Sequence, residues 1–112
     1  MRMTLALFAG AIMVCSATFA RAQPAVDADA AQSLMKKSNC FKCHSLDKKK
    51  EGPSYHETAG KMKGKADAEQ KLYTHLTTNP KVKVDGKEEE HASLKTKDDA
   101  QIKNVIRFIL AQ

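Results

Sequence analysis

The chain is poor in aromatic residues. Its 112 residues include no tryptophan, and aromatic residues make up only 5% of the sequence. After residue 22 the aromatic side chains are Phe41, Tyr55, Tyr73 and Phe108. A chain of this size buries only a modest core and often needs a disulfide, a metal or a cofactor to complete it. The composition therefore favours a fold whose core is completed by a large apolar group.

The chain also lacks an apolar segment of full membrane-spanning length. Residues 5–20 are apolar and uncharged, but a spanning helix needs about 20 such residues. Arg2 precedes this segment, and Ala20-Arg21-Ala22 places small residues where a signal peptidase cleaves. We therefore predict that residues 1–22 are a secretory signal peptide. Residues 23–112 would then form one domain, exported to the periplasm and not spanning the membrane.

Neither sign of charge dominates the predicted domain. Its 17 Lys and Arg residues stand against 13 Asp and Glu residues, which gives a net charge of +4. The two signs are interleaved along the chain, so the charge is too mild to indicate nucleic-acid binding. A surface of this kind suits brief docking on an acidic protein.

Helical spacing of apolar residues recurs along the domain, whereas no segment predicts a strand or an internal repeat. The predicted helices cover residues 29–38, 55–62 and 66–78, and a last helix follows a capping box at residues 96–99. Residues 81–95 are highly charged and predict a surface loop. The sequence therefore predicts an all-α fold of three to five helices.

Two cysteines remain after the signal peptide, in the sequence Cys40-Phe41-Lys42-Cys43-His44. Two thiols at this spacing can add to the two vinyl groups of one haem, and the adjacent imidazole can bind its iron. A thioredoxin-like pair would need a βαβ context, and a structural zinc site would need a second pair of ligands. We therefore predict one covalently attached haem c, bound through Cys40 and Cys43 and ligated by His44.

Around this motif the chain resembles the small bacterial class I cytochromes c over nearly all of the predicted domain. Residues 34–40 resemble the family's first helix, residues 47–55 its lysine-rich turn and Gly-Pro-Ser segment, and residues 98–111 its closing helix. The resemblance implies a class I cytochrome c fold, in which the first and last helices cross near the haem. It also implies that the Pro53 carbonyl accepts a hydrogen bond from the ring of His44.

The second iron ligand is where the chain departs from this family. The family usually supplies a Met, in a Met-Pro pair before the last helix, and this chain has no Met there. His91 occupies that position, and imidazole is a strong ligand of haem iron, so we predict His/His ligation. Two alternatives stay open, namely Met62 and an iron that is open or water-bound. Met35 is expected to belong to the core.

The other histidines have simpler expected roles. His56 is expected on the surface. His75 is expected off the apolar face of its helix, at a place where the resemblance implies a basic residue near a haem propionate.

These features favour a periplasmic carrier of single electrons with no enzymatic activity. Its partners would be periplasmic redox proteins that dock transiently on a monomer through a lysine-rich surface. The alternative function is a haem-based sensor or gas-binding protein whose distal His91 dissociates on reduction. Two properties of Glu88, Glu89 and Glu90 motivate it, because such a segment gains little from burial and its carboxylates favour protonated imidazole.

Overall fold

A computed structural model describes residues 22–112 of the chain. Within these residues the structure has four α-helices, one short 3₁₀ turn and a two-stranded sheet. In chain order they are α1 (Ala28–Lys37), the 3₁₀ turn (Cys40–Lys42), α2 (Tyr55–Met62), α3 (Ala68–Thr77), β1 (Lys81–Val84), β2 (Lys87–Glu90) and α4 (Asp99–Leu110). The predicted signal peptide lies outside the described residues except for Ala22. No helix among residues 22–112 is long and apolar enough to cross a membrane.

The last helix forms the centre of the core. Apolar residues repeat along one face of α4, and five of them are buried there against α1, α2 and α3. They are Ile102, Val105, Ile106, Phe108 and Ile109. Helix α1 contributes Ala31 and Met35, which are 1% and 0% exposed. The assignment of Met35 to the core is therefore confirmed, as is the packing of the first helix on the last.

Side-chain hydrogen bonds fix the start of α1 against α4. Asp27 caps α1 by accepting a hydrogen bond from the backbone N–H of Ala30. Its own backbone N–H donates to Oδ1 of Asn104 at 2.9 Å, and Nδ2 of Asn104 donates to the Asp27 carbonyl at 2.8 Å. The two helices are thus joined by polar contacts at one end as well as by apolar packing.

The cap of the last helix differs from the predicted capping box. The N-cap is Asp98, whose Oδ1 accepts hydrogen bonds from the N–H groups of Ala100 and Gln101 at 2.9 and 3.2 Å. Thr96 lies outside the helix, where its hydroxyl accepts from the N–H of Asp98 and donates to Gln101. The short Asp98 carboxylate reaches the first free N–H groups directly, so the helix begins at Asp99.

The prediction of a strand-free loop over residues 81–95 is wrong for its first ten residues. Strands β1 and β2 pair antiparallel and are joined by Asp85-Gly86, whose φ angles are +48° and +78°. The register places Lys81 opposite Glu90, and Nζ of Lys81 also lies 3.0 Å from Glu88. Opposite charges across the hairpin stabilise a segment that has almost no apolar side chains.

A signal for this hairpin is present in the sequence. Asp-Gly favours a two-residue hairpin turn because both positions accept a positive φ. The preceding Lys81-Val82-Lys83-Val84 alternates with the period of a strand. Charge content alone therefore misidentified the segment as a loop, and the turn residues were the informative feature.

Candidate haem site

The two thiols of the Cys-x-x-Cys-His motif are presented by the short 3₁₀ turn. Asn39 enters the left-handed region with φ +61° and starts the turn. The N–H groups of Cys43 and His44 then both donate to the Cys40 carbonyl, at 3.2 and 3.0 Å. Cys40 and Cys43 are free thiols and half-buried. The turn therefore leaves both sulfurs available for thioether bonds and brings His44 in directly behind them.

Each thiol has a distinct polar neighbour. Burial raises the pKa of the Cys40 thiol, and a hydrogen bond from Tyr55 opposes this shift. Sγ of Cys43 donates to Oε2 of Glu51 at 3.2 Å, and this hydrogen bond raises the pKa of Cys43. Both cysteines are therefore thiols rather than thiolates at neutral pH before haem attachment.

His44 is held in a single orientation from two sides. Its Nδ1 lies 2.7 Å from the Pro53 carbonyl oxygen, which assigns the proton to Nδ1 and leaves the Nε2 lone pair free to bind a metal. Gly52 backs the ring so closely that a Cβ there would overlap Cε1 of His44 and lie 2.8 Å from Nδ1. The ring of the buried Tyr55 covers His44 with centroids 5.1 Å apart and planes inclined by 30°.

His91 follows the hairpin directly and its backbone is held there by two hydrogen bonds. Its N–H donates to the Pro80 carbonyl at 2.8 Å, and Nδ2 of Asn79 donates to its carbonyl at 3.0 Å. Three residues later, the N–H of the buried Leu94 donates to the Leu76 carbonyl of α3 at 2.9 Å. The segment gains little from burial, as expected, since Glu88, Glu89 and Glu90 are exposed, but these hydrogen bonds show that it is not loosely held.

The rings of His44 and His91 are separated as the two axial ligands of one iron would be. Their centroids are 6.0 Å apart and their planes are inclined by 53°. Two imidazole–metal bonds of about 2 Å each, with the ring radii added, place such centroids about 6 Å apart. The residues present therefore fit a haem iron between the two rings.

Among the described residues, His75 is a further imidazole at this site. It lies half-buried on α3, and its ring centroid is 4.0 Å from that of His91 with planes inclined by 46°. No sequence pattern places these two rings in contact, because His75 and His91 lie 16 positions apart in the chain with the hairpin between them. His56, in contrast, is exposed as expected.

The electrostatic setting keeps the distal imidazole neutral. Burial, followed by the neighbouring His75 and His44, lowers the pKa of His91 to about 4. Burial also lowers the pKa of His75, and His44 adds to the shift. Glu88, Glu89 and Glu90 are exposed, and none of them is among the groups that shift the pKa of His91, so the expectation that they favour a protonated His91 is wrong.

The open alternative, Met62, occupies a different environment. It is partly buried against the edge of the core, and it lines an open surface cavity of about 740 Å³ together with Ala59 and Leu110. The ring of His91, in contrast, has its centroid 6.0 Å from that of His44.

Comparisons with known proteins agree with the class that this fold and motif define, a class I c-type cytochrome. The model of the cytochrome c family matches residues 28–112. The chain belongs to the cytochrome c family, whose members carry covalently attached haem c with its iron and transfer electrons. None of the curated proteins matches the chain.

Solved structures show the same fold. The class 1 cytochrome MtoD from Sideroxydans lithotrophicus ES-1 is 53% identical, with a TM-score of 0.74 over 78% of this chain and 97% of that one. Wild-type cytochrome c552 from Nitrosomonas europaea is 26% identical, with a TM-score of 0.55 over 70% of this chain and 95% of that one. Its N64Del mutant is also 26% identical, with a TM-score of 0.56 over 71% and 96%. The predicted class I cytochrome c fold is thereby confirmed.

Proposed function

We propose that the protein is a periplasmic electron carrier whose one haem c is attached to Cys40 and Cys43 and ligated by His44 and His91. The observation that carries the ligation is the 6.0 Å separation of the two imidazole rings. When bound, the haem supplies an iron that cycles between ferric and ferrous states. The protein sets the potential and the access of partners to that iron.

The residues on the proximal side hold one imidazole in a fixed tautomer. The Pro53 carbonyl accepts the Nδ1 proton of His44, so Nε2 is free to bind the iron. Gly52 leaves room for the ring where any larger residue would displace it. Tyr55 packs on the same ring and shields it from water.

The anchoring of His91 favours electron transfer over the sensor function. A sensor of this kind needs a distal ligand that leaves the iron easily. Both backbone groups of His91 are hydrogen-bonded, to Pro80 and Asn79, and its low pKa keeps the ring neutral near neutral pH. Each feature supports a ligand that stays in place through the redox cycle.

The surface beside the attachment motif supports docking on an acidic partner. Six lysines of α1 and of the segment around the motif are exposed, and none of them joins the ion pairs found among residues 22–112. They are Lys36, Lys37, Lys42, Lys48, Lys49 and Lys50. We propose that a periplasmic redox protein binds this surface transiently and that the carrier itself is a monomer.

The ligation is tested by the ferric absorption and electron paramagnetic resonance (EPR) spectra of His91→Ala beside the matched variant His56→Ala. We expect a low-spin wild type and a high-spin His91→Ala protein. The spectra of His56→Ala should match those of the wild type, because His56 is exposed and has no part in the proposed haem site. A His91→Ala protein that keeps the wild-type low-spin spectrum would contradict the proposed ligand.

A further inference from the structure

The two axial imidazoles are oriented by different means. An imidazole that binds a metal normally donates its other N–H to a carbonyl or carboxylate, which fixes the plane of the ring. His44 has such a partner in Pro53. Nδ1 of His91 is buried and has no hydrogen-bond partner among the described residues. Backbone groups of Ala92 and His75 lie close to this ring, but neither reaches Nδ1 in hydrogen-bond geometry, so packing against a neighbouring side chain is the contact left to fix the plane of the distal ring.

The ring of His75 is the neighbour that can provide this contact. We propose that His75 is a positioning residue, which packs its imidazole on that of His91 and so fixes the plane of the distal ligand. This inference rests on the proposed ligation by His91. It differs from the expected role near a haem propionate, because it depends on the ring of His75 rather than on its polarity.

The geometry of the pair indicates packing rather than a hydrogen bond. An N–H···N bond between two imidazoles, with nitrogens about 2.9 Å apart, would separate the ring centroids by about 5 Å. The centroids of His75 and His91 are only 4.0 Å apart, and the planes are inclined by 46°. The rings therefore meet in a tilted arrangement at van der Waals distance, and rotation of His91 would drive its ring into His75.

The elements that carry the two rings are fixed relative to each other. His75 lies on α3 between the buried residues Leu72 and Leu76. The Leu76 carbonyl accepts a hydrogen bond from Leu94, which follows His91 by three residues. The contact between the rings is thus supported from α3 on one side and from the backbone of the distal segment on the other.

The contact with His75 would fix the angle between the ring planes of His44 and His91. The rings of His44 and His91 are inclined by 53°. In a low-spin ferric haem with two imidazole ligands, the EPR g values depend on this angle, because it determines which iron d orbitals each ring overlaps. A contact that fixes the plane of His91 therefore has a spectroscopic signature that is independent of electron-transfer activity.

The test compares His75→Phe and His75→Gln by EPR of the ferric holoprotein, with His56→Gln as the control on an exposed histidine. Phe keeps a flat ring and loses the polarity, whereas Gln keeps the polarity and loses the ring. We expect His75→Gln to shift and broaden the g values, and His75→Phe and His56→Gln to keep them at the wild-type positions. Unchanged g values in His75→Gln, or a shift in His75→Phe as large as that in His75→Gln, would overturn the inference.

A measurement on the wild type does not depend on the folding of any variant. In the ferrous, diamagnetic protein, ring protons of His75 and His91 should give nuclear Overhauser cross-peaks, as their 4.0 Å centroid distance requires. The absence of these cross-peaks from assigned spectra would overturn the inference. A His91→Ala protein that stays low-spin would instead refute the ligation by His91. A high-spin His91→Ala protein together with unchanged g values in His75→Gln would refute only the role of His75.

Discussion

The proximal segment, residues 39–55, and the distal segment, residues 79–95, hold one imidazole each but are built differently. In the proximal segment the residues that position His44 are close to it in the chain. The Cys40 turn, Gly52, Pro53 and Tyr55 all lie within 11 residues of His44. In the distal segment, a hairpin, a backbone anchor and a ring from α3 jointly position His91. The orientation of a ring held by local bonds follows from a motif, whereas the orientation of His91 depends on tertiary packing.

The largest expected effect comes from the attachment cysteines of the proximal segment. In a Cys40→Ala, Cys43→Ala double variant, we expect complete loss of covalent haem and of most folded protein, because the haem is a large part of the core. Acid–acetone extraction should leave the colour on the wild-type polypeptide and remove it from any variant that is recovered. Haem that extracts freely from the wild type would contradict covalent attachment.

The next largest effect is expected where Gly52 touches His44. Gly52→Ala places a Cβ inside the contact radius of the His44 ring, so we expect a destabilisation of about 3 kcal/mol, at the upper end of the usual range for overpacked sites, and a perturbed ferric spectrum. The matched control is Gly60→Ala, where a Cβ meets nothing within 4 Å. In the helical position of Gly60 alanine should stabilise the protein by about 0.5–1 kcal/mol. Thermal unfolding of both variants decides the matter, and equal effects would refute the role given to Gly52.

The pH dependence of the ferric spectrum shows whether burial or the carboxylates of Glu88, Glu89 and Glu90 control the protonation of His91. The pKa of His91 is lowered to about 4, so the ring takes up a proton only near or below that pH. Between pH 6.5, the ordinary pKa of histidine, and pH 4, the unfolded chain binds a proton at His91 and the folded chain does not. The free energy of unfolding is therefore highest above pH 6.5 and falls as the pH is lowered from 6.5 to 4.

We therefore expect the low-spin ferric spectrum to persist from pH 7 to pH 5. Replacing Glu88, Glu89 and Glu90 together by Gln should leave the acid transition in place, because these side chains face solvent. A spectral titration checks both statements. A transition near pH 6.5 that moves in the triple variant would show instead that the carboxylates control His91.

The smallest expected effect is in the hairpin turn. Gly86 has a φ of +78°, and an L side chain at positive φ costs about 1–2 kcal/mol. We expect Gly86→Ala to lower the free energy of unfolding by about that amount while leaving His44 untouched. Chemical denaturation measures it, with the exposed Lys87→Ala as the control. A loss as large as that in Gly52→Ala would mean that the hairpin carries more of the fold than its exposed surface indicates.

Sequence patterns identified the helices, the attachment motif and His44 because each depends on residues close together in the chain, whereas His91 was predicted from the place where the resembled family usually has a Met. Helix α2 spans the predicted residues Tyr55–Met62, and Pro53 contacts His44 as the family resemblance implied. The contact of His75 with His91 was not predictable, since two elements packed in three dimensions create it. The low pKa of His91 was missed for the same reason, because neighbours in sequence were taken for neighbours in space.

The central claim is His/His ligation through His44 and His91, and the near-infrared spectrum of the ferric wild-type protein tests it most directly. A Met–iron bond gives a charge-transfer band there that two imidazoles do not give. We predict a low-spin ferric protein without this band, as expected from the 6.0 Å separation of the rings of His44 and His91. A low-spin ferric spectrum that contains the Met–iron band would contradict the account and assign the second ligand to a methionine such as Met62.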